Sequence, residues 1–501
     1  MDQRIKKFLS GLLTQGLFQI TFMVLQITIA PLLIKNGGSA SLGGYASIMQ
    51  IVGYLTLLDL GFTSMLSRYL SQSFNDPVDG KKKFINIFNI GRWYLFVACA
   101  IMGLIIALLS FILPSSLGLK GYLQTDARNA MIILAIWYCI RYYFTMFNIV
   151  LYATQNMKVA NICLTIGICL RFILTLIFIK LHYGITGIVL ANVIGDFLAA
   201  FSQMIYFKVK NPDIKFSWKI YDKSVFKQLF SFGIDSFLIN IATRAFQSST
   251  VFIAGIMVGA VSAGHYYSMV TPPMMMFTYI NLIMYNLLPG MNEMVIKEEW
   301  ETLRNLYLQT LKSKITILIA AFWGLILFHK YIVLVWVGPS QYEGFYFTIL
   351  LAFYMAVVTL ASLNENVLIV LGTIRWYARL QVCITIAGLL LTVLGGYFFG
   401  LKGIVLGNLI VLTPSSCYVF YRLAKQLEIL NRLKEALPSL KYTFIISAVS
   451  VLILMADERV SGKIHLVLLM FTAITYLLIL WFTGFNAEQR KQTLNIVKKR
   501  R

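Results

Sequence analysis

Fourteen long apolar runs, each closed by a short polar loop, fill nearly the whole chain, and this alternation constrains the fold more than any other feature. Crossing a hydrocarbon core takes about 20 residues at a helical rise of roughly 1.5 Å each. The runs lie at 8–34, 43–70, 85–113, 128–154, 159–180, 185–207, 227–257, 262–288, 313–338, 345–371, 376–399, 403–424, 440–457 and 463–484. Inside a bilayer every backbone N–H and C=O must be satisfied within the protein, and segments of this length meet that demand as helices. The expectation is an all-α polytopic membrane protein with about 14 transmembrane helices. A hydrophobic share of 59%, a charged share of 13% and a mean hydropathy of +0.77 agree. The first run is a full span rather than the short core of a cleavable leader.

A formal charge of +23 invites a nucleic-acid reading, which the positions of the basic residues oppose. With the N-terminus placed inside, one set of loops and tails holds 31 of the 43 lysines and arginines, among them Lys81 to Lys83, Lys208, Lys210, Lys312, Lys314, Arg432, Lys434 and the C-terminal run. The opposite loops hold seven, Lys35, Lys120, Arg128, Lys180, Lys402, Arg459 and Lys463. That imbalance is the positive-inside rule, and it assigns both termini to the cytoplasm of a cell inner membrane. No nucleic-acid partner is expected, and the surplus charge faces anionic lipid headgroups. The six cysteines all fall inside apolar runs without metal-ligand spacing, so they read as small buried apolar residues, and no metal or cofactor is expected.

The chain also repeats itself. At an offset of 221, Ser10, Gln15, Gln19 and Gln26 meet Ser231, Ser236, Asn240 and Gln247, and Gly38, Ser41, Gly43 and Tyr45 meet Gly259, Ser262, Gly264 and Tyr266. At an offset of 216, GITGIVLANVI from Gly184 meets GLKGIVLGNLI from Gly400. Six spans per copy is an even number, so both copies enter the membrane from one side and form two parallel six-helix lobes, with two further C-terminal helices. The expected organisation is an N-terminal lobe over 1–210, a cytoplasmic linker over 211–226 and a C-terminal lobe over 227–426. Two additional spans over 427–484 and a basic tail over 485–501 complete it. A cytoplasmic interfacial helix is expected at about 297–314, with Trp300, Leu303 and Tyr307 at helical spacing.

Polar side chains inside the runs are the candidate functional residues, because charge at bilayer depth is costly and must face a partner or water. Span four carries Tyr138, Arg141, Thr145, Asn148 and Tyr152 on one helical face, span seven carries Asn240, Arg244 and Gln247, and span one carries Gln19. Arg92 and Arg171 add cations in spans three and five. Two readings stay open for these groups: they pair with one another, as Arg171 with Asp196, or they line a wet central cavity. Asp59, Asp196 and Glu365 are candidate ion-coupling residues, although a solvated helix end is the favoured reading of Glu365. Pro272 and Pro273 remove ladder hydrogen bonds from span eight and mark a candidate hinge.

The stretch LLDLGFTSMLSRYL (57–70), the preceding APLLIKNGG and GGYASIMQIVGYL, and the two G-x-x-G-I-V-L-[AG]-N segments resemble the polysaccharide biosynthesis proteins. These are the Wzx-type lipid-linked oligosaccharide flippases of the multidrug/oligosaccharidyl-lipid/polysaccharide exporter superfamily. The resemblance implies a transporter, not an enzyme, that moves polyprenyl-pyrophosphate-linked O-antigen, capsule or exopolysaccharide repeat units by alternating access. Its implied partners are the lipid-linked oligosaccharide, membrane lipids and polysaccharide polymerase or assembly proteins. Relatives commonly line the cavity with arginine, positions that Arg141 and Arg244 fit. The alternatives are a cation-coupled multidrug exporter of the same superfamily and a peptidoglycan-precursor flippase.

Overall fold

Positive φ at two pairs of repeat-equivalent glycines organises the chain. Gly38 (φ 71°) and Gly259 (φ 106°) stand 221 residues apart, and Gly184 (φ 54°) and Gly400 (φ 59°) stand 216 apart, at the offsets at which the sequence repeats. Only a residue without a Cβ adopts this backbone at little cost, so each glycine marks the turn between two spans of its copy. The computed structural model describes residues 3–55, 62–74, 80–212, 249–437 and 447–452.

Every long element among the described residues is an α-helix: α1 (Gln3–Leu55), α2 (Phe62–Phe74), α3 (Gly80–Ser116), α4 (Tyr122–Ala153), α5 (Met157–Lys180), α6 (Gly184–Lys210), α7 (Thr250–Met257), α8 (Ala260–Ile296), α9 (Trp300–Val337), α10 (Phe345–Val370), α11 (Ile374–Gln426) and α12 (Leu433–Ala436). Among the described residues eight helices are long and apolar enough to cross a membrane, which makes this a multi-pass membrane protein. Runs one and two share α1, which kinks at Gly38, and runs eleven and twelve share α11, which kinks at Gly400. The stretch 43–70 is split between the end of α1 and α2, and Asp59 lies outside the described residues. So do most of the linker, Asn240, Arg244, Gln247 and run fourteen. The segment expected as an interfacial helix forms the first part of α9, continuous with span nine, where Leu303 and Tyr307 are fully buried and Trp300 is exposed.

The chain divides within α8 into two compact units, 1–267 and 268–501. In the first, α3 packs on α4, α4 on α6, α6 on α5 and α5 on α1. Phe88, Phe147 and Phe207 tie three of these helices together, with ring centroids 5.9 and 6.0 Å apart. On α5 the outward residues are Ile162, Ile166, Ile173 and Ile177, while Asn161, Arg171 and Thr175 face inward. In water that arrangement would be inverted; lipid makes the apolar outer face the inexpensive one. Equivalent glycines also meet in this unit: a Cβ on Gly43 would reach the Ala260 carbonyl oxygen at 1.8 Å, and one on Gly264 would reach the Ser39 carbonyl at 2.1 Å.

In the second unit α10 packs on both α9 and α11, whose two arms cross where a Cβ on Gly403 would stand 1.9 Å from the Gly395 carbonyl oxygen. His329 is fully buried and satisfied, Nδ1 against Thr348 Oγ1 at 3.0 Å and Nε2 against the Met269 carbonyl at 2.8 Å. Of the cysteines, Cys99 and Cys163 are buried as expected, but Cys139, Cys169, Cys383 and Cys417 are exposed on helix surfaces. A thiol is apolar enough to face lipid, so burial was not required of it.

Candidate functional site

The polar stripe of α4 forms as the spacing dictates. Tyr138 is buried, and Arg141, Thr145, Asn148 and Tyr152 are half-buried along the same face. Arg141 Nη1 donates to the Tyr138 hydroxyl at 3.2 Å, with the guanidinium 5.3 Å from the ring centroid. Asp196 on α6 is an electrostatic neighbour of Arg141, yet among the described residues Arg141 forms no ion pair within 4 Å. At the far end of the stripe the Tyr152 hydroxyl donates to Asn161 Oδ1 at 2.7 Å, and Asn161 Nδ2 donates to Thr14 Oγ1 at 3.3 Å. The stripe is thereby anchored through α5 to α1.

The second feature sits where α5 crosses α6. Gly167 and Gly195 bring the backbones together, since a Cβ on either would stand 2.5 Å from the other's carbonyl oxygen. Arg171 lies against Gly195, whose added Cβ would be 2.9 Å from the Arg171 Cβ. Arg171 is 8% exposed, Thr175 one turn on is 1% exposed, and Asn192 one turn before Gly195 is 5% exposed. Among the described residues, Arg171 Nε, Thr175 Oγ1 and both amide atoms of Asn192 have no hydrogen-bond partner. The proposed Arg171–Asp196 ion pair is not formed: Asp196 is exposed and its electrostatic neighbours are on α4. The glycine contact presses the Arg171 side of α5 onto α6 one position short of the carboxylate, so the pairing fails on helix phase.

The other anticipated residues separate. Arg92 is buried with its guanidinium 5.4 Å from the Tyr143 ring, a ring that Lys208 also approaches, at 5.9 Å. Gln19 is exposed on α1. Glu365 on α10 is half-buried and accepts a hydrogen bond from Tyr377. Pro272 and Pro273 lie within α8, which continues through both.

Sequence reading missed a network in the second unit. Lys314, expected in a loop, is 4% exposed inside α9, and its ammonium donates to Ser362 Oγ at 3.2 Å. Ser362 Oγ in turn donates to Asn281 Oδ1 at 2.8 Å, and the Tyr307 hydroxyl donates to Asn364 Oδ1 at 2.9 Å. The available signal was Tyr307 and Lys314 seven residues apart on one helical face. Among the described residues no group of acids, histidines and cysteines is arranged to hold a metal.

The polysaccharide biosynthesis protein family model matches residues 6–295. No curated protein matches. Among solved structures, an inward-facing multidrug resistance MATE family transporter of the MOP superfamily is similar over 86% of this chain and 99% of its own, at 16% identity and a TM-score of 0.68. The lipid II flippase MurJ, in an inward closed conformation, is similar over 92% of this chain and 97% of its own, at 16% identity and a TM-score of 0.64. A MOP superfamily transporter from Pyrococcus furiosus, with a binding pocket of reverse polarity, covers 85% of this chain and 94% of its own, at 16% identity and a TM-score of 0.55. At these identities the likeness is one of fold.

Proposed function

The chain belongs to the polysaccharide biosynthesis protein family and is a membrane flippase or exporter of the MOP superfamily rather than an enzyme; from that premise we propose that it moves a polyprenyl-pyrophosphate-linked oligosaccharide across the cytoplasmic membrane by alternating access. The observation that supports this reading is the buried Arg171, whose Nε has no hydrogen-bond partner among the described residues, beside the equally unsatisfied Asn192 amide and Thr175 hydroxyl. A charge with an unsatisfied donor at bilayer depth is expensive to keep, and an anionic cargo that supplies the missing acceptors removes the cost. Guanidinium binds phosphate oxygens in bidentate fashion and stays charged at depth. Asn192 and Thr175 add donors of the kind that phosphate and sugar hydroxyls accept.

In this reading Arg171 and Arg141 meet the pyrophosphate, and Asn148 and the α4 tyrosines meet the glycan. Arg92 and Gln19 extend that lining, and Arg244, Asn240 and Gln247 repeat it in the second copy. The lobes over 1–210 and 227–426 alternate about the linker and the Pro272–Pro273 segment, with the isoprenoid tail left in lipid. No bond is made or broken. An inside-negative potential favours outward movement of negative charge by about 2.3 kcal/mol per charge per 100 mV, so a coupled ion at Asp59, Asp196 or Glu365 is an addition rather than a necessity. A lipid II flippase among the fold neighbours fits a lipid-linked anionic cargo. A multidrug exporter would place unpaired acids, not unpaired arginines, at this depth.

The test is export in a deletion strain. Arg171→Ala should abolish surface glycan and accumulate its lipid-linked precursor while the protein reaches the membrane in normal amount. Full export by Arg171→Ala and Arg141→Ala together would end the reading.

A further inference from the structure

The second unit carries an open cavity of about 450 Å³ between α9, α10, the second arm of α11 and α12. That size lies within the roughly 300–1,000 Å³ of small-molecule sites. Its two ends differ. The deep end is walled by Ile315, Val357, Leu360 and Thr413. About two helical turns away, or roughly 10 Å at ~1.5 Å per residue, the other end presents Asn364, Phe420 and Lys434.

The polar groups at that end are both donors without acceptors. Asn364 is 4% exposed; its Oδ1 is taken by the Tyr307 hydroxyl, and its Nδ2 has no partner among the described residues. Lys434 is exposed and makes no ion pair among the described residues. Its neighbour Arg432, by contrast, is saturated by Glu301, Glu435 and Asn305 at 2.6 to 3.0 Å. Acids are thus at hand around α12, and among the described residues none is spent on Lys434.

An apolar slot running along the helices, with a cation and an amide donor open at the helix ends, is shaped for a chain carrying an anionic head. The geometry points to an anionic bilayer phospholipid as the occupant, its acyl chain between Leu360 and Thr413 and its phosphate between Lys434 and Asn364. Basic recesses between membrane helices at the positively charged side bind such headgroups. A single cation and a lining in which Thr413, Ser416 and Asn364 are the few uncharged polar side chains among apolar ones suit a structural lipid rather than the oligosaccharide cargo. The occupant ties α12 to the membrane surface, and the site stands or falls independently of glycan export.

Cys417 lines the cavity and supplies the reporter. A full-length chain retaining only that cysteine is placed in phosphatidylcholine nanodiscs with and without phosphatidylglycerol, and its modification by N-ethylmaleimide is timed. Phosphatidylglycerol should slow the reaction several-fold, Lys434→Glu should remove the slowing, and Thr413→Trp should slow it equally in both bilayers. Equal rates in the two bilayers, slowing that survives Lys434→Glu, or equal slowing by inorganic phosphate alone would overturn the assignment. Native mass spectrometry of the unaltered chain gives a second readout: phosphatidylglycerol should stay bound and be lost on Lys434→Glu, and equal retention by both proteins would count against it.

Discussion

Asn192 and Asn408 occupy the same position of the repeat, 216 residues apart, and meet opposite fates. Asn408 is 1% exposed and satisfied, with the Thr392 hydroxyl donating to its Oδ1 at 3.1 Å and its Nδ2 donating to the Ile404 carbonyl at 3.2 Å. Asn192 is also buried, but its side-chain amide has no hydrogen-bond partner among the described residues, and the residue equivalent to Thr392 is Leu176. Around it the first unit places Arg171 and Thr175 where the second has Ala387 and Leu391. One copy has thus closed its crossing as a structural joint, and the other has kept polar groups open at a cost of about 1–3 kcal/mol for each unsatisfied group. Such a cost persists where a ligand intermittently removes it, so the proposed function assigns cargo contact to the first copy's α5–α6 crossing.

The charged helix ends differ residue by residue. In the second unit Arg304 pairs with Glu428 and Arg432 with Glu301 and Glu435, while Arg422 lies 4.3 Å over the Trp376 ring. In the first, Lys208 meets Tyr143, and Lys210 meets Tyr206 and Asn156.

The largest expected effect breaks the comparison outright. Arg171→Ala should reduce export by more than tenfold, Arg171→Lys should retain part of it by keeping charge without the fork, and Ala387→Arg should not restore it. Surface glycan and precursor measured together in a deletion strain decide this. Next, Gly195→Val drives a side chain into the Gly167 carbonyl and should destabilise the chain by about 1–3 kcal/mol or more, read as a lowered Tm in detergent. A reciprocal exchange sharpens the point. Thr392→Leu should cost about 1–3 kcal/mol by orphaning Asn408 and leave export unchanged, whereas Leu176→Thr should raise Tm while lowering export.

The smallest effect concerns pH. Hydrogen bonding to Arg432 holds the Glu435 carboxyl below its ordinary value of 4.5, and Lys297 does the same for Glu293. The stability these exposed carboxylates contribute is present above that value and is lost as pH falls through the lowered one. Replacing Arg432 by Gln should flatten the acid limb of a Tm-against-pH curve slightly, and Lys208→Gln should leave that limb unchanged.

Much of this was legible in the chain. The α4 stripe from Tyr138 to Tyr152 formed on one face because helical spacing alone fixes which residues align. The glycines at 38, 184, 259 and 400 took equivalent conformations because the repeat preserved a backbone need. Arg171 was recognised as a candidate, but its pairing with Asp196 was not realised, since which of two nearby positions meets a partner depends on the rotation of one helix against another. Lys314 was placed in a loop because a cation at a span boundary reads as solvated; only packing against Ser362 and Asn281 draws it inside.

The sequence by itself determined that the chain crosses a membrane many times, that it carries an internal repeat, and that cations stand inside apolar runs. Those outcomes follow from chain length, local periodicity and the energetics of water and hydrocarbon, all of which act residue by residue. Tertiary structure alone decided which copy keeps its polar crossing unsatisfied and where a cavity opens beside Lys434. Both depend on contacts between helices distant in sequence, where a single hydroxyl or a missing Cβ changes which atoms find partners.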